Sequence, residues 1–165
     1  PRHDRLLGKR KAHNASLERS TLLILPTWRR YLSGDRIGAG CAMNLVPAFE
    51  DSLYKRAWEG ILSSPELKKV AAENDLKIVF YPHPHFLPYI DARKMSVPAY
   101  VEIGSPNNSS FQDYVAEAAI CVTDYSSASL DASLAGVPVV YYQFDKDEFF
   151  SGDHGLEPEI GRAHV

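Results

Sequence analysis

The 165-residue chain is poor in cysteine and lacks any long apolar run, and each scarcity removes a class of protein. Its two cysteines, Cys41 and Cys121, stand far apart and fit no metal-binding spacing. Cys121 lies in an apolar run and reads as a small buried thiol, which points to a reducing, cytoplasmic setting. No stretch approaches the ~20 apolar residues that span a bilayer, and no signal peptide is evident. One-sided charge is also missing: 18 Lys and Arg against 21 Asp and Glu give a formal charge of −3. That balance gives no sign of a polyanion-binding surface, so nucleic acid is not an expected partner. There is no internal repeat and no low-complexity tract. What remains is an ordinary globular composition, 45% hydrophobic and 24% charged, in a length that suits one domain with a real core. The chain opens on Pro1-Arg2-His3-Asp4 without an initiator Met and closes in Gly161-Arg162-Ala163-His164-Val165 without an obvious final element. Residues 1–165 are therefore expected to be a single domain cut from a longer protein.

Five short apolar runs predict strands at Thr21–Leu25, Lys77–Tyr81, Ala99–Ile103, Ala119–Thr123 and Pro138–Tyr142. They show little alternation, as expected of parallel strands covered on both faces. Helical spacing fills the intervals. Phe49, Leu53, Ala57 and Ile61 recur every fourth residue, and Ser63-Ser64-Pro65 starts a second helix running to Asn74. Two further helices are predicted at Phe111–Ala118 and Ser126–Ala135, the latter closed by Gly136 and Pro138. Such alternation means βαβ units and an α/β fold, a Rossmann-like doubly wound parallel sheet. Gly34 to Gly40, with three glycines in seven residues, is expected to be a mobile loop.

Right-handed crossovers put every strand's carboxyl end on one edge, where ligands bind in open α/β sheets. Three polar clusters fall just past strand ends: Pro26-Thr27-Trp28-Arg29-Arg30, Pro82-His83-Pro84-His85, and Asp124-Tyr125-Ser126-Ser127. The last opens a helix, where free N–H groups and the positive dipole end favour an anion. Thr123, Ser126 and Ser127 are then candidate phosphate-binding hydroxyls, and the alternative is that Ser126 or Asp124 simply caps the helix. Asp124 would place negative charge near that phosphate unless it orients His83 or bonds the helix amides. Asp131, one turn further, is a candidate for the two ribose hydroxyls; the ordinary alternative is a solvent-facing helical carboxylate.

His83 and His85 have a His-x-His spacing that would let both rings face one side of an extended segment. With no third ligand nearby, proton transfer or phosphate binding by one of the two is favoured over a metal site, with a supporting or purely structural role for the other. Arg29 and Arg30 could hold a phosphate in a charged fork or be a solvated pair. Asp145-Lys146-Asp147 has the form of an Asp-x-Asp metal motif but is read as a solvated turn. Tyr54, Trp58 and Phe111 are read as core, and His3, His13, His154 and His164 have no evident partner.

Taken together, several segments resemble the CDP-glycerol glycerophosphotransferase family. They are Pro1-Arg2-His3-Asp4-Arg5-Leu6, Pro26-Thr27-Trp28-Arg29, His83-Pro84, the run from Val122 to Ser127 with Asp131, and the run from Gly136 to Asp145. Order and rough spacing agree over about residues 1–150. The resemblance implies the carboxyl-terminal, nucleotide-binding half of a two-domain enzyme of glycosyltransferase-B type. Such enzymes transfer glycerol phosphate from CDP-glycerol to the hydroxyl end of a teichoic-acid-like or capsular polymer and release CMP. It implies pyrophosphate at Ser126 and Ser127 near Arg29, ribose at Asp131, and His83 stabilising charge on the phosphates or leaving group. A second histidine, the base, would belong to the absent amino-terminal domain. The acceptor is lipid-linked in the family, which implies a cytoplasmic enzyme held peripherally at the inner membrane face. No cofactor is firmly implied, and assistance by Mg²⁺ is left open. The alternatives are a nucleotide-sugar transferase of the same fold, a non-catalytic nucleotide-binding module, and a metal-dependent phosphohydrolase built on His83 and His85.

Overall fold

The computed structural model describes residues 19–34 and 44–151. Strands β1 (Thr21–Leu25), β2 (Lys77–Phe80), β3 (Val101–Ile103), β4 (Ala118–Thr123) and β5 (Val139–Tyr141) form one sheet in the order β3-β2-β1-β4-β5. Every pairing is parallel. The central strand β1 is buried at all five positions. A strand with neighbours on both edges and layers on both faces has no solvent side, which explains its unbroken apolar sequence. The chain builds outward from β1 through β2 to β3, then returns to the far side of β1 for β4 and β5. The reversal opens a crevice between the carboxyl ends of β1 and β4, where this topology binds ligands.

Helices α1 (Leu53–Leu62) and α2 (Pro65–Glu73) connect β1 to β2, and α3 (Leu87–Asp91) connects β2 to β3. Helix α4 (Phe111–Glu117) precedes β4, α5 (Ala128–Leu134) precedes β5, and α6 (Lys146–Phe150) follows it. Their starts are written in the sequence. Ser52 and Ser64 accept from the amides of Lys55 and Leu67, Pro65 takes the first turn of α2, and Ser110 and Asp113 form a capping box. Gly136 ends α5 at φ +66°, a left-handed position that glycine occupies without strain.

The differences from the predicted boundaries are local. Ala99 and Tyr100 form a turn closed by the Val101 amide on the Pro98 carbonyl at 2.9 Å, so β3 starts late. Pro138 has no N–H to give the ladder and drops out of β5, although its carbonyl still accepts from Cys121 at 2.9 Å. Helices α3 and α6, with the 3₁₀ turns Arg30–Leu32, Pro47–Phe49 and Pro84–Phe86, were not anticipated. The Gly34–Gly40 loop beyond Gly34, Cys41, the Pro1–Leu6 segment and His3, His13, His154 and His164 lie outside the described residues.

The two faces of the sheet are packed differently. One carries Leu22, Ile24 and Phe80 under a cluster of rings that includes Phe49, Tyr54, Trp58, Phe86 and Tyr89. Several of these rings meet edge to face, for example Phe49 with Phe86 and Phe80 with Phe86, both at 5.7 Å. Such pairs add about 0.5–1.5 kcal/mol each beyond burial. The other face is made mostly of smaller groups, Leu23, Val79, Val115, Ala118, Cys121 and Ala132, with Tyr114. Cys121 is buried there, and burial pushes its thiol up to about 12.

Candidate functional site

At the switch point β1 and β4 run side by side to their ends, with Leu25 opposite Thr123. The Thr123 hydroxyl donates to the Leu25 carbonyl at 2.6 Å. Pro26 then offers no N–H, and the next amide, that of Thr27, donates instead to Asp124 Oδ1 at 2.9 Å. This side-chain bond replaces the ladder where the strands part. The same Oδ1 accepts from the Tyr125 amide at 2.7 Å.

Beneath the parting strands lies Arg29, with no exposed surface. Its Nε and Nη2 donate to the two oxygens of Asp145 at 2.8 and 2.9 Å, a bidentate fork. Nη1 donates to the Thr27 carbonyl at 2.7 Å, and Nη2 also lies 2.9 Å from Asp124 Oδ2. The rings of Tyr54, Tyr125, Phe144 and Phe149 surround the guanidinium at 4.8–5.5 Å. Burial alone would lower the Arg29 pKa. The bond to Asp145 and the charges of Asp124 and Asp145 outweigh it and hold the group above its ordinary value. Tyr125 stacks on Phe149 at 3.8 Å, tying α6 to the loop after β4, and burial raises its phenol far above its usual range.

Above this floor opens a cleft of about 500 Å³. The end of β1 contributes Thr27, Trp28, Arg30 and Ser33 to it; the end of β2 contributes His83 and His85; the end of β4 contributes Tyr125, Ser126 and Ser127; and Phe149 closes one side. The three polar clusters picked out in the sequence thus meet in one recess. Ser126 Oγ accepts from the Ala128 amide at 3.2 Å, whereas Ser127, at the N-cap of α5, makes no side-chain cap bond and is exposed. The His83 and His85 rings lie 4.7 Å apart. His83 Nδ1 accepts from the His85 amide at 3.3 Å, which leaves the proton of a neutral imidazole on Nε2. Burial and the neighbouring His85 hold His83 below the usual imidazole range. Among the described residues no group of three His, Cys, Asp or Glu is arranged to hold a metal ion.

Four expectations need correction. Arg29 and Thr123 are fully buried and do not line the cleft: Arg29's donors are taken by Asp124, Asp145 and Thr27, and Thr123 spends its hydroxyl on β1. Asp124 bonds neither His83 nor the amides of α5 but the ends of β1 and β4. Asp131 needs none: it is half-buried in α5, one turn past Ser127, outside the lining of this cleft. Asp145 is no solvated turn. It has 3% of its side chain exposed and, although it stands at the N-cap of α6, its carboxylate serves Arg29 rather than the helix. The signal for it was available, since Asp145 also falls just past a strand end, on the edge that carries the other three clusters.

The fold and cleft define a doubly wound parallel α/β domain with a recess of hydroxyls, imidazoles and one arginine at its switch point. The model of the family described as CDP-Glycerol:Poly(glycerophosphate) glycerophosphotransferase matches residues 1–156, and the chain belongs to that family of transferases. It is 33% identical over 145 residues to the minor teichoic acid biosynthesis protein GgaB of Bacillus subtilis (strain 168), covering 87% of this chain. It spans only 16% of that relative's length. Among solved structures it resembles the wall teichoic acid polymerase TagF, with a TM-score of 0.44 at 16% identity over 94% of this chain and 33% of that one. A variant of TagF gives a TM-score of 0.44 at 18% identity, over 90% and 31% of the two chains.

Proposed function

We propose that this chain is the nucleotide-binding domain of a two-domain enzyme that transfers glycerol phosphate from CDP-glycerol to a hydroxyl of a teichoic-acid-like polymer. Family membership supports the reaction class. The observation that carries the reading is the meeting of Arg30, His83, Ser126 and Ser127 around one cleft to which no described acid contributes.

In the proposed reaction the acceptor oxygen attacks the phosphorus that bears glycerol, and the bond from that phosphorus to the bridging oxygen breaks. CMP leaves with the bridging oxygen, and the acceptor proton passes to a base outside the described residues. Charge develops on the equatorial and bridging oxygens, so positioned donors matter most. Ser126 and Ser127 offer hydroxyls to the diphosphate. His83, whose Nδ1 is occupied, presents Nε2–H to the leaving oxygen. Arg29, Asp124 and Asp145 act as positioning residues: they fix Thr27 and Tyr125, the residues from which the cleft walls spring. The lipid-linked acceptor would hold the whole enzyme at the inner membrane face. Within the described residues no helix is long and apolar enough to cross a membrane.

Calorimetric titration with CDP-glycerol, CDP, CMP and UDP tests the reading. Cytidine diphosphates are expected to bind in preference to UDP, and Ser127→Ala is expected to weaken them. His83→Ala in the full-length protein is expected to slow transfer by roughly 10²–10⁴-fold, the usual range for a proton-transfer group. Equal affinity for UDP would point instead to a nucleotide-sugar transferase. Transfer unchanged by loss of His83 would remove it from the mechanism.

A further inference from the structure

Arg29 and Arg30 are adjacent, yet they lie in opposite environments. Arg29 is extended, with φ −97° and ψ 126°, and turns its side chain into the floor. Arg30 begins the 3₁₀ turn that ends at Leu32, itself fully buried. The turn is closed by the Leu32 amide on the Arg29 carbonyl at 3.0 Å and by the Ser33 amide on the Arg30 carbonyl at 2.9 Å. Trp28 Nε1 adds a bond to Ser33 Oγ at 2.7 Å. With positions 29 and 32 anchored in the core, position 30 is left at the surface, on the cleft lining.

The charges divide in the same way. The carboxylates of Asp124 and Asp145 are both engaged by Arg29 within 2.9 Å. Among the described residues Arg30 has no hydrogen bond or ion pair from its side chain, and none of the described lining residues is acidic. The other ionisable groups among the described lining residues are imidazoles and a phenol, so Arg30 is the one full cation among them. A guanidinium at a fixed backbone position, with no ion-pair partner among the described residues and lining the same cleft as the Ser126 and Ser127 hydroxyls, suits a doubly charged phosphate ester.

We infer that Arg30 is the phosphate-contacting cation of this cleft and sets its preference for diphosphate over monophosphate ligands, while Arg29 only positions it. This rests on the reading of the cleft as the donor site. A monophosphate bound at the serines leaves Arg30 unpaired. A diphosphate reaches it with its second group.

The test uses the full-length protein and two probes, CDP-glycerol and inorganic pyrophosphate, with Arg30→Gln, Arg30→Lys and the control Arg56→Gln. Arg56 is exposed on α1, where its Nη1 donates to the Asp51 carbonyl. Expected for Arg30→Gln are a loss of roughly tenfold or more in affinity for both probes, a shallower salt dependence, little change in CMP affinity and an unchanged melting temperature. Arg30→Lys should restore part of the loss, and the effect on turnover should fall on KM more than on kcat. Wild-type affinity for CDP-glycerol in Arg30→Gln would overturn the assignment and leave the donor-site reading standing. Pyrophosphate binding that depends on Arg30, with no binding of CDP-glycerol, would uphold Arg30 as the anion contact and sink the donor reading. Failure of wild-type protein to bind either probe would sink both.

Discussion

The floor of the cleft and its walls come from the same strand ends but obey different rules. In the floor, Arg29 and Asp124 have no exposed side-chain surface and Asp145 has 3%, and the charges are matched by forked ion pairs and backbone amides. In the walls, Arg30, His83 and Ser127 are exposed, and neither Arg30 nor Ser127 has a side-chain partner among the described residues. A buried ion pair is seldom the most stable filling for a core, because desolvation offsets much of the attraction. Its value here is geometric: one guanidinium fixes three loops that arrive from β1, β4 and β5. Arg30 and Ser127 can then stay exposed and unpaired among the described residues, since the packing of the walls is carried by Trp28, Tyr125 and Phe149 instead.

The sharpest way to break that contrast is to remove one partner from the floor. Asp145→Asn takes away the carboxylate that forks Arg29 and sets an amide NH₂ against the guanidinium, while Asp124 still balances its charge. It is expected to cost about 1–3 kcal/mol, the usual penalty for a buried donor left without its acceptor. Asp147, two residues on, is exposed in the first turn of α6, so Asp147→Asn should cost no more than about 1 kcal/mol. Urea unfolding of the two variants measures both. Equal, small losses would mean that the floor is no more than another surface ion pair.

Cys121 then shows how far the damage spreads. It sits on the opposite face of the sheet, buried, with a thiol pushed up to about 12 by burial. A thiolate is the reactive form, so at pH 8 a thiol reagent should modify it only when the domain opens. In a Cys41→Ser background, Asp145→Asn should speed labelling in proportion to its loss of global stability. A normal labelling rate alongside a lost binding cleft would show that the floor orders only the site.

These variants also mark where the sequence was readable. Strands β1, β2 and β4 were legible to within a residue or so because a two-faced parallel strand has to be a continuous apolar run. Helix α2 was legible because Ser64 and Pro65 announce its start. The convergence of Ser126, Ser127 and His83 on one edge followed from right-handed crossovers alone. What could not be read was partnership across long separations. Nothing local tells Arg29 from Arg30, or Asp145 from Asp147. The choice is made by which of them faces the aromatic layer of Tyr54, Phe144 and Phe149, and that depends on how β1 and β5 are placed in the sheet.

The smallest expected effect concerns the wall. His83 is held below the usual imidazole pKa of about 6.5, first by burial and then by the charge of His85. In the folded protein it therefore binds fewer protons than the unfolded chain does as pH falls below about 6.5. Its contribution to stability is present above that value and is lost as pH drops through the folded pKa. The loss should be slight, because the side chain, though partly desolvated by its neighbours, keeps access to solvent. NMR titration of the imidazole should give a midpoint below that of a free histidine. His85→Asn should raise the midpoint only in part, since the larger cause, burial, persists. A full return to the free value would assign the whole depression to His85. A midpoint above the free value would mean that His83 meets a negative partner, and the cleft would no longer be free of acid.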